Sequence, residues 1–396
     1  MRIGLVTGEY PPDQGGVGDF THELGQAMAQ LGHQVHVITS KTPEGDPRTA
    51  DTEVVLHRAV EAWRWGCWRA VLQTARVERL EALDLQYQAA AYDMHPAINF
   101  LPRPRNRLPV VATFHDLKVP YLFPKAGPLR WWVVRTLARR ADSVIVTNRE
   151  DLLQLEKEIS PRRLAMIPIG SNITPTPPSE YDRATERSRW GVGADDLLLG
   201  YFGFLNESKG GEELMEALAI LVAEGVPAHL LMIGGRVGSS DPTNRAYAER
   251  VDRLIAQLDL GKRVHWTGYV EPEEVSASLL ATDVCILPYR DGVSFRRGTL
   301  QACLAHGRAV VTTRPAVELA QACDGENMLL VEPRGTRELA DAVKRLTADP
   351  HLKAQLEAGA EALAATFAWD RIARETVDHL RELLNKQDSA AHRRQQ

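Results

Sequence analysis

CILPYRDGVSFRRGTLQACLAHGRAVVTT, residues 285–313, indicates the fold class of this chain most clearly. An apolar run ends at Pro288, a polar turn follows, leucines at helical spacing end at Gly307, and a second apolar run, 309–311, comes next. This order of strand, loop, helix and strand is typical of a parallel α/β sheet. Ligands of such sheets bind beyond the carboxyl ends of the strands, so the loop 291–299 is predicted to lie at a binding site.

The loop 291–299 combines positive charge with a predicted helix start. Arg296 and Arg297 precede the backbone amides of Gly298 and Thr299, and unpaired amides at a helix N-terminus attract anions. We interpret the loop as the seat of a diphosphate. The alternative interpretation is a solvated basic turn.

Length and composition set the broad class. The chain has 396 residues, of which 44% are apolar, so about two domains are expected. Its 47 Lys and Arg against 52 Asp and Glu give a net charge of −5, which argues against general nucleic-acid binding. Four cysteines without paired spacing predict neither a zinc site nor disulfides. With no signal peptide or membrane span apparent, a cytoplasmic protein is expected.

Positive charge is concentrated between Arg103 and Arg140, which hold nine Lys or Arg and one acid, Asp116. Within this range, residues 118–140 mix tryptophans with arginines and suggest a peripheral contact with the inner face of a membrane. An ordinary amphipathic helix packed on its own domain has the same pattern. Three upstream tryptophans, at 63, 65 and 68, are interpreted by default as core.

The first half begins with a strand, a glycine loop and a helix. Gly15, Gly16 and Gly18 lack side chains, so their backbone could approach a phosphate or a sugar closely. A dinucleotide fingerprint is not met, because Thr21 stands where a third spaced glycine is required. A nicotinamide enzyme is therefore disfavoured. The strand 109–114 ends in His115 and Asp116, which are predicted to lie on the same edge of the sheet.

The second half repeats this order after a proline-rich stretch that reads as a linker. The strand LLLGYFGF, 197–204, leads into a loop in which Lys209 stands beside two glycines at a helix start, where it is placed for a phosphate. The predicted domains are residues 1–172 and 191–366, joined by the linker 173–190. The tail, 387–396, is predicted to be disordered.

Taken together, several stretches resemble glycosyltransferase family 4 on the GT-B fold. They include EYPPDQGGVGDF, FHD, GYFGFLNESKG, LLMIGG, VHWTGYV, LAHGRAVVTT and DGENMLLVEP, and they span nearly the whole chain in the family's order. The resemblance implies two Rossmann-like, doubly wound parallel-sheet domains that face each other across a cleft. It also implies that the last helix, 367–386, crosses back to the first domain.

The resemblance also implies roles for particular residues. Gly16 would approach the donor's phosphate, His115 would contact the transferred sugar, Lys209 would neutralise the diphosphate, and the turn 268–270 would face the base. Two departures affect the donor site. Phe204 stands where the family has an arginine, and the usual pair of glutamates is absent, with Gln301 at the second position. Asp291 is a candidate substitute for the first glutamate, and Arg296 and Arg297 for the missing charge.

The predicted function is transfer of a hexose from a UDP- or GDP-linked sugar to a hydroxyl acceptor, either a polysaccharide, a lipid-linked acceptor or a small glycan, with retention of configuration. No Asp-x-Asp motif is present, and neither a metal nor another cofactor is expected. The alternative is a GT-B protein that binds a nucleotide sugar or a partner without turnover. The predicted catalytic residues are His115, Asp116, Lys209, Arg296 and Arg297. The predicted donor-binding residues are Gly15, Gly16, Gly18, Phe204, Gly268, Tyr269, Val270, Asp291, Ser294, Gly298, Thr299 and Gln301.

Overall fold

A computed structural model describes residues 1–13, 15–41, 53–102, 108–117, 127–236 and 242–392. The chain divides into two compact units, residues 1–170 with 368–396, and residues 171–367. Each unit is a parallel β-sheet flanked by helices. The predicted fold class, with two parallel-sheet domains, is confirmed.

The first unit contains a seven-stranded sheet in the order β3-β2-β1-β4-β5-β6-β7. Its strands are β1 Arg2–Val6, β2 Gln34–Ser40, β3 Val55–Val60, β4 Ala82–Tyr87, β5 Val110–Phe114, β6 Ser143–Val146 and β7 Leu164–Met166. Its helices are α1 Gly16–Gln30, α2 Cys67–Val77, α3 Gly127–Arg140, α4 Arg149–Glu158 and, from the end of the chain, α12 Trp369–His392.

The second unit contains a six-stranded sheet in the order β10-β9-β8-β11-β12-β13. Its strands are β8 Leu197–Phe202, β9 Ala228–Ile233, β10 Val264–Gly268, β11 Val284–Leu287, β12 Ala309–Thr313 and β13 Leu329–Val331. Its helices are α5 Arg183–Arg189, α6 Gly211–Ala223, α7 Pro242–Gln257, α8 Pro272–Ala281, α9 Gly298–Ala305, α10 Thr336–Ala348 and α11 Pro350–Ala364.

The strands of the first sheet have apolar side chains on both faces, so both faces are buried. In the first unit, alternate residues of one strand enter different core clusters: Leu5 packs in one cluster and Val6 in the other. Successive side chains of a strand point to opposite faces, so helices cover both faces of this sheet.

Each sheet reverses its strand order once, and this reversal fixes where ligand loops can gather. In the first unit β1 lies between β2 and β4, and in the second unit β8 lies between β9 and β11. The loops after β1 and β4, like those after β8 and β11, therefore diverge to opposite sides and leave a crevice at the carboxyl ends of the strands.

The boundary between the units differs from the predicted linker, because residues 173–190 belong to the second unit. Asp182 caps α5 by accepting a hydrogen bond from the Thr185 amide at 2.7 Å. The guanidinium of Arg187 is buried, donating to Asp283 at 2.9 Å and to the Asp196 carbonyl at 2.6 Å. The proline-rich sequence predicted a linker, whereas the long-range bond from Arg187 to Asp283 anchors the segment to the second unit.

The last helix, α12, packs in the first unit. Its buried Ile372, Val377 and Leu380 share a core cluster with α1, and the Trp369 ring lies where a Cβ on Gly170 would come within 2.6 Å. The helix continues to His392, so the first part of the segment predicted as a disordered tail is helical. Residues 393–396 lie outside the described residues.

The region 51–98, where the sequence pattern was unclear, supplies β3, α2 and β4. Of the three tryptophans interpreted as core, Trp63 is buried, Trp68 is half-buried, and Trp65 is 54% exposed. The core interpretation is therefore wrong for Trp65. None of the described helices combines the length and the apolar character that crossing a membrane requires.

Candidate active site

Four loops of the second unit converge where β8 and β11 end. A Cβ on Gly203, which follows β8, would come within 2.8 Å of the Thr299 side chain and 3.1 Å of the Lys209 Nζ. A Cβ on Gly210 would lie 1.9 Å from the Pro288 carbonyl oxygen. These short distances bring the β8 loop, the start of α6, the β11 loop and the start of α9 to one place.

Glycine is required at two of these contacts for conformational reasons as well. Gly203 has φ +122 and Gly210 has φ +70, values that favour a residue without a Cβ. Gly210 ends the loop that carries Lys209 and directly precedes α6. The turn at Gly210 thus places the Lys209 side chain next to Gly203.

Lys209 is the cation at the centre of this convergence. Its ammonium forms no ion pair within the described part of the chain. Burial first, and then the nearby charge of Arg297, lower the pKa of Lys209 to about 8. A desolvated cation beside a second cation is an electrostatic arrangement that an anionic ligand would stabilise.

Arg297 is held in place by its neighbours. Its guanidinium lies 4.1 Å from the centroid of the Tyr289 ring and forms an ion pair with Asp291. The Tyr289 hydroxyl is 3.0 Å from the Thr299 Oγ1, which fixes the ring beneath the arginine. Arg297 is also the residue that precedes α9, so its charge lies at the helix end where amides lack partners within the helix.

The predicted role of Asp291 changes with this geometry. As a substitute for the missing glutamate it would need a carboxylate turned towards a ribose, but the structure pairs that carboxylate with Arg297. Gln301 is 1% exposed and donates from Nε2 to the Phe295 carbonyl at 2.6 Å, so it supports the loop from below. Ser294 and Arg296 are half-buried in the same loop.

A third arginine of this stretch, Arg290, has a different partner set. It donates to Glu212 at 2.6 Å, to Glu213 at 2.8 Å and to Glu207 at 3.3 Å. These carboxylates neutralise the charge of Arg290. Its ion pairs with Glu212 and Glu213 attach the β11 loop to α6. The sequence alone does not show which of the two arginines is neutralised, because Arg290 lies just before the same turn that Arg297 follows.

The ends of β8, β9 and β10 form a row of glycines that sequence reasoning only partly found. Gly203, Gly234 and Gly268 all have positive φ, and Gly234 pairs with Gly268 across an isolated bridge. Two aromatic side chains border this row: Phe204 is 43% exposed and Tyr269 is 74% exposed. Bare backbone next to exposed rings suits a flat aromatic base and its ribose.

In the first unit, the start of α1 is occupied by a carboxylate. Glu9 accepts from the Val17 amide at 2.9 Å and from the Gly18 amide at 3.2 Å. A Cβ on Gly15 would collide with this carboxylate at 2.2 Å, whereas a Cβ on Gly16 would meet nothing within 4 Å. Of the glycines predicted to approach a phosphate, Gly18 thus has its amide bonded to Glu9, whose negative charge disfavours an anion there.

His115 lies at the end of a buried relay of polar side chains. Its Nε2 is 2.9 Å from the Gln86 Oε1, the Gln86 Nε2 donates to Asp84 at 2.8 Å, and the Thr113 hydroxyl donates to Asp84 at 2.7 Å. Since the amide nitrogen of Gln86 is committed to Asp84, its oxygen must accept from His115. The proton of His115 is therefore on Nε2, and Nδ1 is an acceptor.

The electrostatics of this relay keep the imidazole neutral. Burial lowers the pKa of His115 to about 3. Burial also raises the pKa of Asp84 to about 7, although the hydrogen bonds from Thr113 and Gln86 oppose the shift. Asp116 follows on the chain and is half-buried. Asp84 and Gln86 were not predicted, although their spacing of two on an apolar strand places both on one face.

The raised pKa of Asp84 predicts a pH dependence of stability. The folded carboxyl keeps its proton up to about pH 7, whereas the unfolded one loses it near 3.8, so stability falls as pH rises between these values. The slope is about 1.4 kcal/mol per pH unit for this group. In Asp84→Asn, the loss of stability between pH 5 and 8 should shrink by roughly 2–3 kcal/mol, measured by urea unfolding. Exposed Asp93→Asn is the control, and an unchanged pH dependence in Asp84→Asn would contradict the assignment.

The basic segment 103–140 is described only in part, because 103–107, 118–126 and the side chains of 127–130 lie outside the described residues. Of the rest, Leu137 is buried and the Trp131 and Arg135 side chains donate to Glu158 at 2.8 and 2.7 Å. This part of α3 packs on its own domain. Trp132 is 52% exposed.

Comparison with known proteins agrees with this architecture. Residues 15–170 match a family model described as glycosyl transferase 4-like domain, and residues 196–349 match one described as glycosyl transferases group 1. The D-inositol 3-phosphate glycosyltransferase of Streptomyces bingchenggensis is 24% identical over 92% of this chain and 84% of that protein. That of Corynebacterium urealyticum is 28% identical, but the match spans only 61% of this chain and 57% of the relative.

Among solved structures, Anabaena HepE in complex with UDP has a TM-score of 0.76 at 19% identity, over 96% of this chain and 100% of that chain. Two parallel-sheet units with this topology have the GT-B fold. The chain belongs to glycosyltransferase family 4.

Proposed function

We propose that this glycosyltransferase moves a hexose from a nucleotide diphosphate sugar, UDP- or GDP-linked, to a hydroxyl acceptor with retention of configuration and without a metal at the donor. The observation that carries the proposal is Lys209, a desolvated cation beside Arg297 and the start of α9. Asp291 pairs with Arg297 but not with Lys209, and a diphosphate supplies the negative charge that Lys209 lacks. HepE, which shares the fold, has been solved with UDP and with UDP-glucose.

In the proposed reaction the bond between the anomeric carbon and the phosphate breaks, and negative charge develops on the leaving diphosphate. Lys209, Arg297 and the amides of Gly298 and Thr299 stabilise that charge. Arg296 adds positive charge from the same loop. The base lies over the glycine row, near Tyr269 and Phe204, and Val270 completes this turn.

The first unit contributes the sugar contacts in this proposal. The acceptor nitrogen of His115, Nδ1, receives a hydrogen bond from a hydroxyl of the transferred sugar. Asp116 positions the sugar and the acceptor. Gly16, where a Cβ would meet no atom, lets a ligand approach the backbone. The acceptor oxygen forms its bond to the anomeric carbon on the face that the leaving group vacates, and its proton passes to the departing diphosphate oxygen, so no protein side chain acts as an essential base.

The proposed acceptor rests on the names of related proteins rather than on the geometry of the site. Several relatives carry the name D-inositol 3-phosphate glycosyltransferase, which makes inositol 3-phosphate the first acceptor to assay. Polysaccharide, lipid-linked and small glycan acceptors form the rest of the panel.

Calorimetric titration with UDP, GDP and ADP tests the donor proposal. We expect one of them to bind at pH 7 and to bind more weakly at pH 9.5, because Lys209 loses its charge above about pH 8. In Lys209→Arg, whose charge persists at both values, this difference in affinity should disappear. Failure of all three diphosphates to bind at pH 7 would overturn the proposal.

We also propose that the exposed aromatic side chains of the first unit contact an anionic membrane surface on the cytoplasmic side. Phe100 links Trp65 to Trp132, with ring centroids 5.6 and 5.7 Å apart, and both tryptophans are more than half exposed. Arg139 is exposed on α3. Tryptophan with arginine is a combination that suits the headgroup region.

Vesicle co-sedimentation measures this contact. Each basic residue near an anionic surface contributes about 1 kcal/mol, so Arg139→Glu should lower partitioning to vesicles containing phosphatidylserine by about tenfold or more. The matched control is exposed Arg253→Glu in the second unit, which should change nothing. Equal partitioning of Arg139→Glu and the unaltered protein would contradict the proposal.

A further inference from the structure

Two histidines lie side by side on the edge of the first sheet. The His36 Nδ1 on β2 is 3.0 Å from the His57 Nε2 on β3, and their rings stack with centroids 5.3 Å apart at 13°. The strand register pairs His57 with Ile38, two residues beyond His36, so both imidazoles project from the same face.

A carboxylate completes this cluster. Glu78 directly follows α2, and its Oε2 lies 3.9 Å from the His36 Nδ1. One ligand atom from each of His36, His57 and Glu78 falls within 4.8 Å of the other two. His36 is buried and the other two are half-buried, so the cluster is sheltered but accessible from solvent.

The second unit contains the same histidine pair with a different third partner. The His229 Nδ1 on β9 is 3.0 Å from the His265 Nε2 on β10, and the rings stack at 5.3 Å and 14°. Here the Arg263 Nη1 lies 2.9 Å from the His229 Nε2. The histidine pair of the first unit thus has the carboxylate of Glu78 beside it, whereas the pair of the second unit has the guanidinium of Arg263.

We propose that His36, His57 and Glu78 bind a divalent transition metal of the Zn²⁺ type, with water at the remaining position. Two imidazoles and a carboxylate are ligands that Zn²⁺ accepts. Zn–N bonds of about 2.0–2.1 Å at a tetrahedral angle separate two nitrogens by roughly 3.3 Å, close to the spacing of this pair. Arg263 excludes a cation from the pair in the second unit.

Binding requires only local changes. The hydrogen bond between the two imidazoles is replaced, with each ring carrying its proton on the nitrogen that faces away from the metal. Glu78 turns from Arg2, whose Nη2 is 3.6 Å away in a partly exposed ion pair that contributes little. The bound metal would join β2, β3 and the end of α2.

The position of the cluster separates it from the transfer reaction. His36 is near the start of β2, whereas Ser40, at the end of that strand, donates to the carbonyl of Gly8, which lies beyond the end of β1. The cluster therefore lies towards the amino-terminal ends of the strands, away from the carboxyl ends where the ligand loops gather. The proposed metal stabilises the first unit and takes no part in glycosyl transfer.

Calorimetric titration of Zn²⁺ into full-length, untagged protein stripped with EDTA tests the proposal. We expect one ion per chain, a higher Tm with Zn²⁺, and an absorption band of tetrahedral Co²⁺ when cobalt replaces zinc. His57→Ala and Glu78→Gln should weaken binding at least tenfold, while the matched variant His265→Ala should bind as the unaltered protein does.

Three outcomes would overturn the proposal. These are a dissociation constant weaker than about 100 µM for the unaltered protein, undiminished binding in both His57→Ala and Glu78→Gln, and equal loss in His265→Ala. Glu78→Gln keeps the size of the side chain, so it stays informative if His57→Ala fails to fold. Transferase activity should be the same with and without EDTA, which keeps this result independent of the donor site.

Discussion

Lys209→Met should lower kcat/KM for the nucleotide sugar by about 10²–10³-fold, because a preorganised positive charge at the leaving diphosphate is removed. Methionine keeps the apolar character of the lysine stem and ends one atom short of Nζ, so mainly the charged group beside Gly203 is removed. The loss should appear both in donor affinity and in kcat, since the charge on the diphosphate increases as the bond breaks. Initial rates over a range of donor concentrations measure it.

The control for Lys209→Met is Lys262→Met, an exposed lysine of the same unit that should leave the rates unchanged. Lys209→Arg should retain more activity than Lys209→Met, because it keeps the charge while changing its shape. If Lys209→Met binds the diphosphate and turns over as the unaltered protein does, the lysine is structural and the donor seat is elsewhere.

Substitutions of His115 should separate its two nitrogens. The amide of Asn reaches the position of Nδ1, whereas the amide of Gln reaches that of Nε2, so each variant keeps one end of the imidazole. If Nδ1 accepts a bond from the sugar, His115→Gln and His115→Ala should each lose about 10²-fold in kcat/KM, and His115→Asn should lose less. Steady-state rates of the three variants provide the measurement.

The pH profile supplies a second test of His115. With its pKa near 3, the imidazole stays neutral at pH 5–9, so it should contribute no step to the rate profile in that range. A step near pH 7 is expected from Asp84 instead, and it should vanish in Asp84→Asn. Greater activity in His115→Gln than in His115→Asn would show that Nε2, rather than Nδ1, meets the substrate.

The relay explains how one histidine can serve as a fixed acceptor. A neutral imidazole on a loop could carry its proton on either nitrogen, and its role would vary with the tautomer. Asp84 orients Gln86, and Gln86 in turn fixes the proton of His115 on Nε2. Two neighbouring side chains thus determine which nitrogen of His115 can accept the hydrogen bond that the proposed sugar contact requires.

Local patterns in the sequence predicted most of the fold. Apolar runs such as LLLGYF and AHLLMI became β8 and β9, and the glycines beyond the strands became the turns at their ends. Strands β3 and β4 were missed because polar residues interrupt their apolar pattern. In β4 those polar residues are Asp84 and Gln86, which form the relay. The residues that interrupt the apolar pattern of the strand are therefore the ones that orient His115.

Hydrophobic periodicity and glycine spacing are local properties, so the amino-acid sequence alone predicts two α/β units with glycine loops and cations at the ends of their strands. Which of these charges remain available for a ligand depends on the three-dimensional fold. Arg290 is neutralised by carboxylates of α6, Asp291 is bound to Arg297, and Glu9 occupies the start of α1. Lys209 keeps its charge unpaired within the described residues because the fold brings it to Gly203 and Arg297, and not to a carboxylate. Such pairings join residues far apart in the chain, so no local pattern predicts them.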